Sequence, residues 1–271
     1  MKYLQELSAI YPQREARALY MLVMEVAFGL DSTQVLLGKD NELSSDKQAL
    51  LQNIIDRLLR KEPVQYVLGQ ADFCGHTFHV EPGVLIPRPE TEGLVRLISQ
   101  QSPTPCSVLD IGTGSGCIAT SLAILGYQVT AFDISLDALR IAKENAQKLQ
   151  VKVDFHQEDI LHPSPTKQQW DVIVSNPPYI CQKEAAQMDS NVLDYEPHLA
   201  LFVPDADPLL FYRAIAQYAF EHLRPKGRLF FEINQAYPTE TASLLEKMGY
   251  SQVEVHLDCF DKPRFISAHK E

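Results

Sequence analysis

Proline and glycine are nearly missing from the first 62 residues, where Pro12, Gly29 and Gly38 are the whole set; the other 209 hold sixteen prolines and ten glycines. So few breakers read as a helical head, and the breaker-rich remainder as a mixed body. Long apolar runs are missing too: the best candidate, Leu19 to Leu30, is interrupted by Glu25 and falls short of the roughly 20 residues a membrane helix needs. No apolar secretion-signal core opens the chain, and Glu6 and Glu15 stand among its first charges, so a cytoplasmic protein without membrane contact is expected. Cys74, Cys106, Cys117, Cys181 and Cys259 lie far apart with no C-x-x-C pair, which argues for reduced thiols and against a zinc site or a disulfide frame. Cys74, His76 and His79 are the nearest approach to a metal cluster. With no fourth ligand nearby, the faces of a short strand are the simpler reading, and no metal is expected. Positive charge is the last deficit. The 271-residue chain has a net charge of −11, of which residues 1–62 carry only −1. That balance argues against holding duplex nucleic acid through its phosphates.

What is present divides into three regions. In residues 1–62, Ala18, Leu19, Leu22, Val23, Val26 and Ala27 recur at helical spacing. Leu51, Ile54, Ile55, Leu58 and Leu59 form a second stripe behind a capping box at Ser45 and Gln48. Pro63 then stops the helix, so a small helical bundle is expected. In residues 63–86 aromatic and β-branched residues surround Gly69, Gly75 and Gly83, which reads as a hairpin connector. Residues 87–271 alternate. Strands are expected at Ser107–Ile111, Val129–Ile134, Val153–His156, Asp171–Ser175 and Arg228–Ile233, and helices at Cys117–Leu125, Leu136–Leu149 and Pro208–Leu223. Trp170, the single tryptophan, is placed as a core or rim anchor before the fourth strand. Two further β-rich stretches, Gln252–Leu257 and Arg264–Ala268, are joined by so short a link that they must pair antiparallel. The expectation is a doubly wound α/β sheet of seven strands with its last pair antiparallel, the Rossmann-like architecture of S-adenosylmethionine-dependent methyltransferases.

The run Val108-Leu-Asp-Ile-Gly-Thr-Gly-Ser-Gly116 passes from strand to glycine-rich turn to helix. Gly112, Gly114 and Gly116 let the backbone turn and approach a ligand closely, with Thr113 and Ser115 between them. The G-x-G-x-G spacing with Asp110 ahead of it suits S-adenosylmethionine better than a dinucleotide, because a carboxylate is welcome near a sulfonium and hostile to a pyrophosphate. Asp133, 21 residues after Gly112, ends the next strand, where a carboxylate can accept ribose hydroxyls. Asp159 falls where an acid can meet the adenine amino group, with Ile160 beside it to wall the ring. The competing readings are a tight structural turn for the glycines and helix capping for the acids.

The fourth strand breaks into Asn176-Pro177-Pro178-Tyr179. Two prolines cannot donate to a sheet, and the break falls at the carboxyl end of a parallel strand, where open α/β sheets bind ligands. An amide or aromatic amino nitrogen is a poor nucleophile because its lone pair is delocalised. Two acceptors aimed at its hydrogens, the Asn176 side-chain oxygen and the Pro177 carbonyl, orient it and stabilise the charge that develops. Tyr179 can pack on the planar group, and no strong general base is required. The competing reading is a rigid loop after a strand. Arg88 and Glu90 lie in the stiff segment Pro87-Arg-Pro-Glu, where their charges either contact the site or cap the following helix.

The chain resembles the HemK/PrmC family of glutamine-N5 methyltransferases that modify peptide chain release factors. The match is carried by Glu62-Pro-Val-Gln-Tyr-Val-Leu-Gly69, Val84-Leu-Ile-Pro-Arg-Pro-Glu-Thr-Glu92, the Asp110–Gly116 loop and Asn176-Pro-Pro-Tyr-Ile180. It continues through Glu196-Pro and Pro225-Lys-Gly-Arg-Leu-Phe-Phe-Glu232 to Asp261 and Arg264, so it spans about residues 60 to 265. The resemblance implies a substrate, the glutamine of the Gly-Gly-Gln motif in class 1 release factors. It also implies that residues 112–116, Asp133, Ile160 and Asn176 hold the donor, and that Asn176, Pro177, Pro178 and Tyr179 hold the glutamine. Two positions depart from the family. A Gly-Gly pair often follows Ala-Leu there, where this chain reads Ala200-Leu-Phe-Val-Pro-Asp205, and the position near Ile160 is often aromatic or polar. The helical head matches the family only in size and character; because the body already holds what the chemistry needs, the expected organisation is a docking domain at 1–62, the connector at 63–86 and a catalytic domain at 87–271, working as a monomer. Two other classes compete. A nucleic-acid amino methyltransferase acting on adenine N6 or guanine N2 would favour a basic groove. A non-enzymatic donor-binding module would have lost Asn176 or the glycines.

Overall fold

The computed structural model describes residues 2–271 and divides into two compact units, one running to Gln70 and including Asp189–Tyr195, the other Ala71–Met188 with Glu196–Glu271. The first unit is helical: Lys2–Ser8, Gln13–Phe28, Ser32–Leu36, Ser45–Leu59, Val64–Leu68 and Ser190–Tyr195. Helix Gln13–Phe28 buries Ala16, Tyr20, Val23, Met24 and Phe28 and leaves Leu22 exposed. Its core face is therefore rotated from the expected stripe, because Tyr20, Met24 and Phe28 cover more core surface than alanines. Leu51, Ile54, Ile55 and Leu58 face the same core as expected. The capping box expected at Ser45 is not formed. The helix starts one residue earlier in the chain, with Ser44 as N-cap and no side-chain cap bond, while Gln48 donates back to the Leu43 carbonyl at 2.8 Å.

The connector is shorter than expected. Val64–Leu68 is a helical turn closed by Gly69 at φ 70, and Arg57 donates to the Tyr66 and Val67 carbonyls, each at 3.2 Å. Only β1 (Gln70–Phe73) and β2 (His76–His79) make the hairpin. Its two-residue turn, Cys74-Gly75, has positive φ at both positions, 50 and 75, which matches the twist of hairpin strands.

The second unit is built on a seven-stranded sheet. Its strands are β3 (Ser107–Ile111), β4 (Gln128–Asp133), β5 (Val153–Gln157), β6 (Trp170–Ser175), β9 (Leu223–Glu232), β10 (Ser251–Leu257) and β11 (Pro263–His269), while β7 (Ile180–Cys181) and β8 (Phe202–Val203) form a separate parallel pair. The order is β10-β11-β9-β6-β3-β4-β5, parallel throughout except that β11 runs antiparallel to both of its neighbours. Successive residues of a strand face opposite sides, and both sides are covered. Trp170, Ile173, Leu229 and Phe231 pack into one core, and Val172, Val174 and Phe230 into the other. Both faces of a parallel sheet being dry explains the near-continuous apolar runs of β6 and β9. Helices Cys117–Ile124, Leu136–Lys148 and Leu210–His222 fall where the alternation puts them. A further helix, Pro238–Lys247, separates β9 from β10, with Pro238 at its first turn, where a missing N–H costs nothing. It was not among the expected elements. No helix of the described residues is long and apolar enough to cross a membrane.

Candidate active site

Strand β3 ends at Ile111 and the chain turns at once. Gly112 and Gly114 have φ 76 and 55, and a Cβ built on either would meet nothing within 4 Å. These two glycines serve backbone conformation and leave open space above the loop. Gly116 is different: a Cβ there would come 2.9 Å from the Cβ of Ala142, so it permits the close approach of helix Leu136–Lys148. Asp133 fastens the loop from the end of β4, accepting from the Gly114 N–H at 2.8 Å and the Ser135 N–H at 2.9 Å. Burial raises the Asp133 carboxyl above its usual range, against the backbone N–H groups that lower it. Asp110 lies under the loop, fully buried. One oxygen accepts from Thr113 Oγ1 at 2.7 Å, the other has no partner, and burial pushes its pKa up to about 7.

The loops after β3, β4, β5 and β6 enclose one cavity of about 310 Å³, at the low end of the range for ligand pockets. It brings together Gly112, Gly114, Asp133, Asp159, Ile160, Asn176, Pro177 and Pro178. Asp159 holds the Leu161 N–H at 2.9 Å and His162 Nδ1 at 3.0 Å, and the bond to His162 keeps its carboxyl below the ordinary range. Ile160 is on the wall and packs into the core. Ser175 Oγ donates to the Ile111 carbonyl at 2.6 Å, tying the end of β6 to the end of β3. That bond sets the spacing between the glycine loop and Asn176. Asn176 lines the cavity, and no described residue takes a hydrogen bond from its side chain or gives one to it.

Six expected site residues are not on the cavity wall besides Tyr179: Asp110, Thr113, Ser115, Gly116, Arg88 and Glu90. The first four form the underside of the glycine loop. Arg88 is engaged elsewhere, with Nη2 at 2.5 Å from Glu196 Oε1; Glu90 sits in the short 3₁₀ turn Pro89–Thr91, and the following helix, Glu92–Gln101, has Thr91 as N-cap with no side-chain cap bond. Tyr179 packs against the core, and its hydroxyl donates to Glu232 Oε1 at 3.0 Å. It packs into the core and is not on the cavity wall, where a surface that stacks on substrate was expected.

The sequence profile of the PrmC N-terminal domain matches residues 2–69, and that of the methyltransferase small domain matches residues 78–194. Over 269 residues the chain is 49% identical to the release factor glutamine methyltransferase of Bacteroides thetaiotaomicron, covering 98% of this chain and 97% of the other. The chain belongs to the release factor glutamine methyltransferase family. A second member, from Flavobacterium psychrophilum, is 38% identical over 275 residues, 99% of this chain and 96% of its own. Among solved structures, a methyltransferase from Pyrococcus furiosus superposes with a TM-score of 0.56 at 17% identity, covering 84% of this chain and 99% of that one. At that identity the likeness speaks for the Rossmann-like methyltransferase fold alone.

For a member of this family the donor is S-adenosylmethionine, and the cavity fits it. The carboxylates of Asp133 and Asp159 suit a cationic ligand rich in hydroxyl and amino groups, and the space above Gly112 and Gly114 is open. Several residues that brace the site from behind its wall were not expected. Glu232, at the end of β9, is 2% exposed and accepts from Thr91 Oγ1 at 2.6 Å as well as from Tyr179. Burial raises its carboxyl above the ordinary range. Asn234 donates to the Tyr179 carbonyl at 3.0 Å, and Asn145 donates to the Ser115 carbonyl at 2.9 Å. The resemblance included Glu232 without a role. A polar residue ending an apolar strand was the available signal. Among the described residues no group of three metal-ligating side chains is assembled.

Proposed function

We propose that this chain transfers the methyl group of S-adenosylmethionine to the side-chain amide nitrogen, N5, of the glutamine in the Gly-Gly-Gln motif of class 1 peptide chain release factors. The carrying observation is that the open glycine turn and the unengaged amide of Asn176 share one cavity, in a chain related over nearly its full length to release factor glutamine methyltransferases.

When bound, the donor supplies an electrophilic methyl carbon on a sulfonium. The protein supplies position and electrostatics. Gly112, Gly114, Asp133, Asp159 and Ile160 hold the donor, and Asn176 takes part at the junction. Asn176 Oδ1 and the Pro177 carbonyl accept the two hydrogens of the glutamine amide, turning its lone pair towards the methyl carbon. Both acceptors gain strength as positive charge builds on the nitrogen, which is where stabilisation speeds a reaction. Transfer would break the methyl–sulfur bond and leave a neutral thioether, and the amide nitrogen, cationic and strongly acidic once methylated, gives its extra proton to water, so no strong base is needed. The Pro177-Pro178 pair fixes the backbone that carries the carbonyl.

The cavity wall is made by residues of the second unit and the helical unit has a core of its own, which supports a role in docking the protein substrate. The acidic balance of the chain favours a protein over a nucleic acid as acceptor, and we place the enzyme in the cytoplasm as a monomer. The test is transfer of labelled methyl groups to purified release factor, tRNA and DNA in parallel, followed by peptide mapping. Label confined to the Gly-Gly-Gln peptide is the expected result. Label on either nucleic acid and none on the factor overturns the reading.

A further inference from the structure

Glu196 has a side chain 1% exposed and two partners 108 and 110 residues earlier in the chain. One oxygen meets Arg88 Nη2 at 2.5 Å, and the other accepts from the Ile86 N–H at 3.1 Å. Neither partner is on the cavity wall, but the segments they belong to lead to it. Gly83, Val84 and Leu85, just before Ile86, line one stretch of it, and Pro197, Leu199 and Ala200, just after Glu196, line another. The second stretch leads directly into β8, and β8 pairs with β7, which follows Tyr179. Pro197–Ala200 and Asn176–Tyr179 thus enter one parallel pair from the same end, and residues of both line the cavity on what we take as its acceptor half, with the glycine loop and Asp133 on the donor half.

We infer that Glu196 is a positioning residue for the acceptor half: its carboxylate clasps the Gly83–Leu85 strip to the Pro197–Ala200 strip and so sets the slot through which the substrate amide reaches Asn176. The inference rests on the reaction proposed above. A buried carboxylate with a cation on one oxygen and a backbone N–H on the other has both charge and lone pairs answered. It joins two segments that no strand ladder connects. Leu199, 61% exposed and still part of the wall, is the apolar lip held by this clasp. Arg88 acts through Glu196 and does not touch the substrate.

The test compares the full-length parent with Glu196→Gln, Arg88→Met and the double variant Arg88→Met/Glu196→Gln. Methylation of release factor is measured with saturating donor and varied factor, donor affinity by calorimetry, and melting temperature by scanning. Glu196→Gln keeps an acceptor for Ile86 and loses the charge. Arg88→Met alone strands a buried carboxylate and lowers the melting temperature, and the double variant relieves that penalty. Expected are a loss of at least about tenfold in kcat/KM for the factor in Glu196→Gln and in the double variant, with donor affinity held within about threefold, since small misplacements of reacting groups are costly. The double variant regains melting temperature and does not regain rate, a separation that a merely structural ion pair would not show. A double variant as active as the parent, or a loss of donor affinity as large as the loss of kcat/KM, overturns the inference. A parent that leaves the factor unmethylated sinks the proposed reaction and this inference with it; an active parent beside an equally active double variant sinks the clasp alone.

Discussion

Tyr179, last residue of the Asn-Pro-Pro-Tyr turn, donates its hydroxyl to the buried carboxylate of Glu232 at 3.0 Å, across 53 residues of sequence. The bond fixes the far end of the turn whose near end carries Asn176. Burial and the neighbouring Glu232 charge raise the tyrosine pKa, so the hydroxyl stays protonated and remains a donor throughout the working pH range. Tyr179→Phe leaves Glu232 with one fewer donor in a dry site, an expected cost of about 1–3 kcal/mol in stability. Turnover should fall as the turn loosens, while donor affinity changes little. Denaturant unfolding and single-turnover methylation read the two effects, and a variant with parental values of both removes the turn's anchor from the account.

Asn176 supplies one of two amide acceptors. Replacing it by alanine should cost about 2.7–4 kcal/mol in the transition state, or roughly a hundredfold to a thousandfold in rate. Asn176→Asp keeps an acceptor and should retain more activity than alanine. Single-turnover rates at saturating donor decide this. A rate for Asn176→Ala within a few-fold of the parent would end the proposed mechanism.

Asp133 has two oxygens that already hold the Gly114 and Ser135 N–H groups, with further lone pairs available to ribose hydroxyls. Each charge-assisted hydrogen bond lost in Asp133→Ala is worth about 1.5–3 kcal/mol, so donor affinity should fall more than about tenfold. Unchanged affinity by calorimetry would mean that the carboxylate serves the loop alone.

Asp110 predicts a pH dependence of stability. Its pKa rises from 3.8 in the ordinary state to about 7 in the fold, so the folded protein binds the proton more tightly than the unfolded chain. The resulting stabilisation is full below pH 3.8 and is lost as pH rises through about 7, because the ionised form is then held in a dry core. Asp110→Asn should therefore gain on the parent steadily between pH 4 and pH 8, read as the difference in urea midpoints. A flat difference across that window contradicts the assignment.

The helical unit should be separable from donor binding. A chain beginning at residue 70 should bind donor close to normally and turn over intact release factor poorly. Parental turnover by a soluble, donor-binding truncation would show that docking lies elsewhere.

Much of the catalytic body was legible because its signals are local. The glycines at 112, 114 and 116, the double proline after β6 and the apolar strand runs each act within a few residues, and the seven strands fall within a few residues of their expected bounds, β9 excepted, which begins five residues earlier. The clasp at Glu196 and the Thr91–Glu232–Tyr179 chain were not legible. Their partners lie 53 to 141 residues apart, and nothing in a single sequence pairs one buried acid with one distant donor. Helix Val64–Leu68 was masked by its β-branched valines, whose preference is outweighed by the carbonyl contacts of Arg57. The rotated face of helix Gln13–Phe28 was missed because periodicity alone weights an alanine like a phenylalanine.

Strand β11 follows β10 in the chain yet lies inside the sheet, between β10 and β9. Assembly therefore cannot follow chain order. Strand β10 has no neighbour in the sheet other than β11, so it is joined to the rest only through Pro263–His269, which pairs with β9 at positions such as Phe265 with Glu232. Until that pairing forms the edge of β9 stands open, ready to pair with a strand of another molecule. The two last strands must arrive as one hairpin, and that closing step, non-local for β9, is where a slow refolding phase and a risk of aggregation belong.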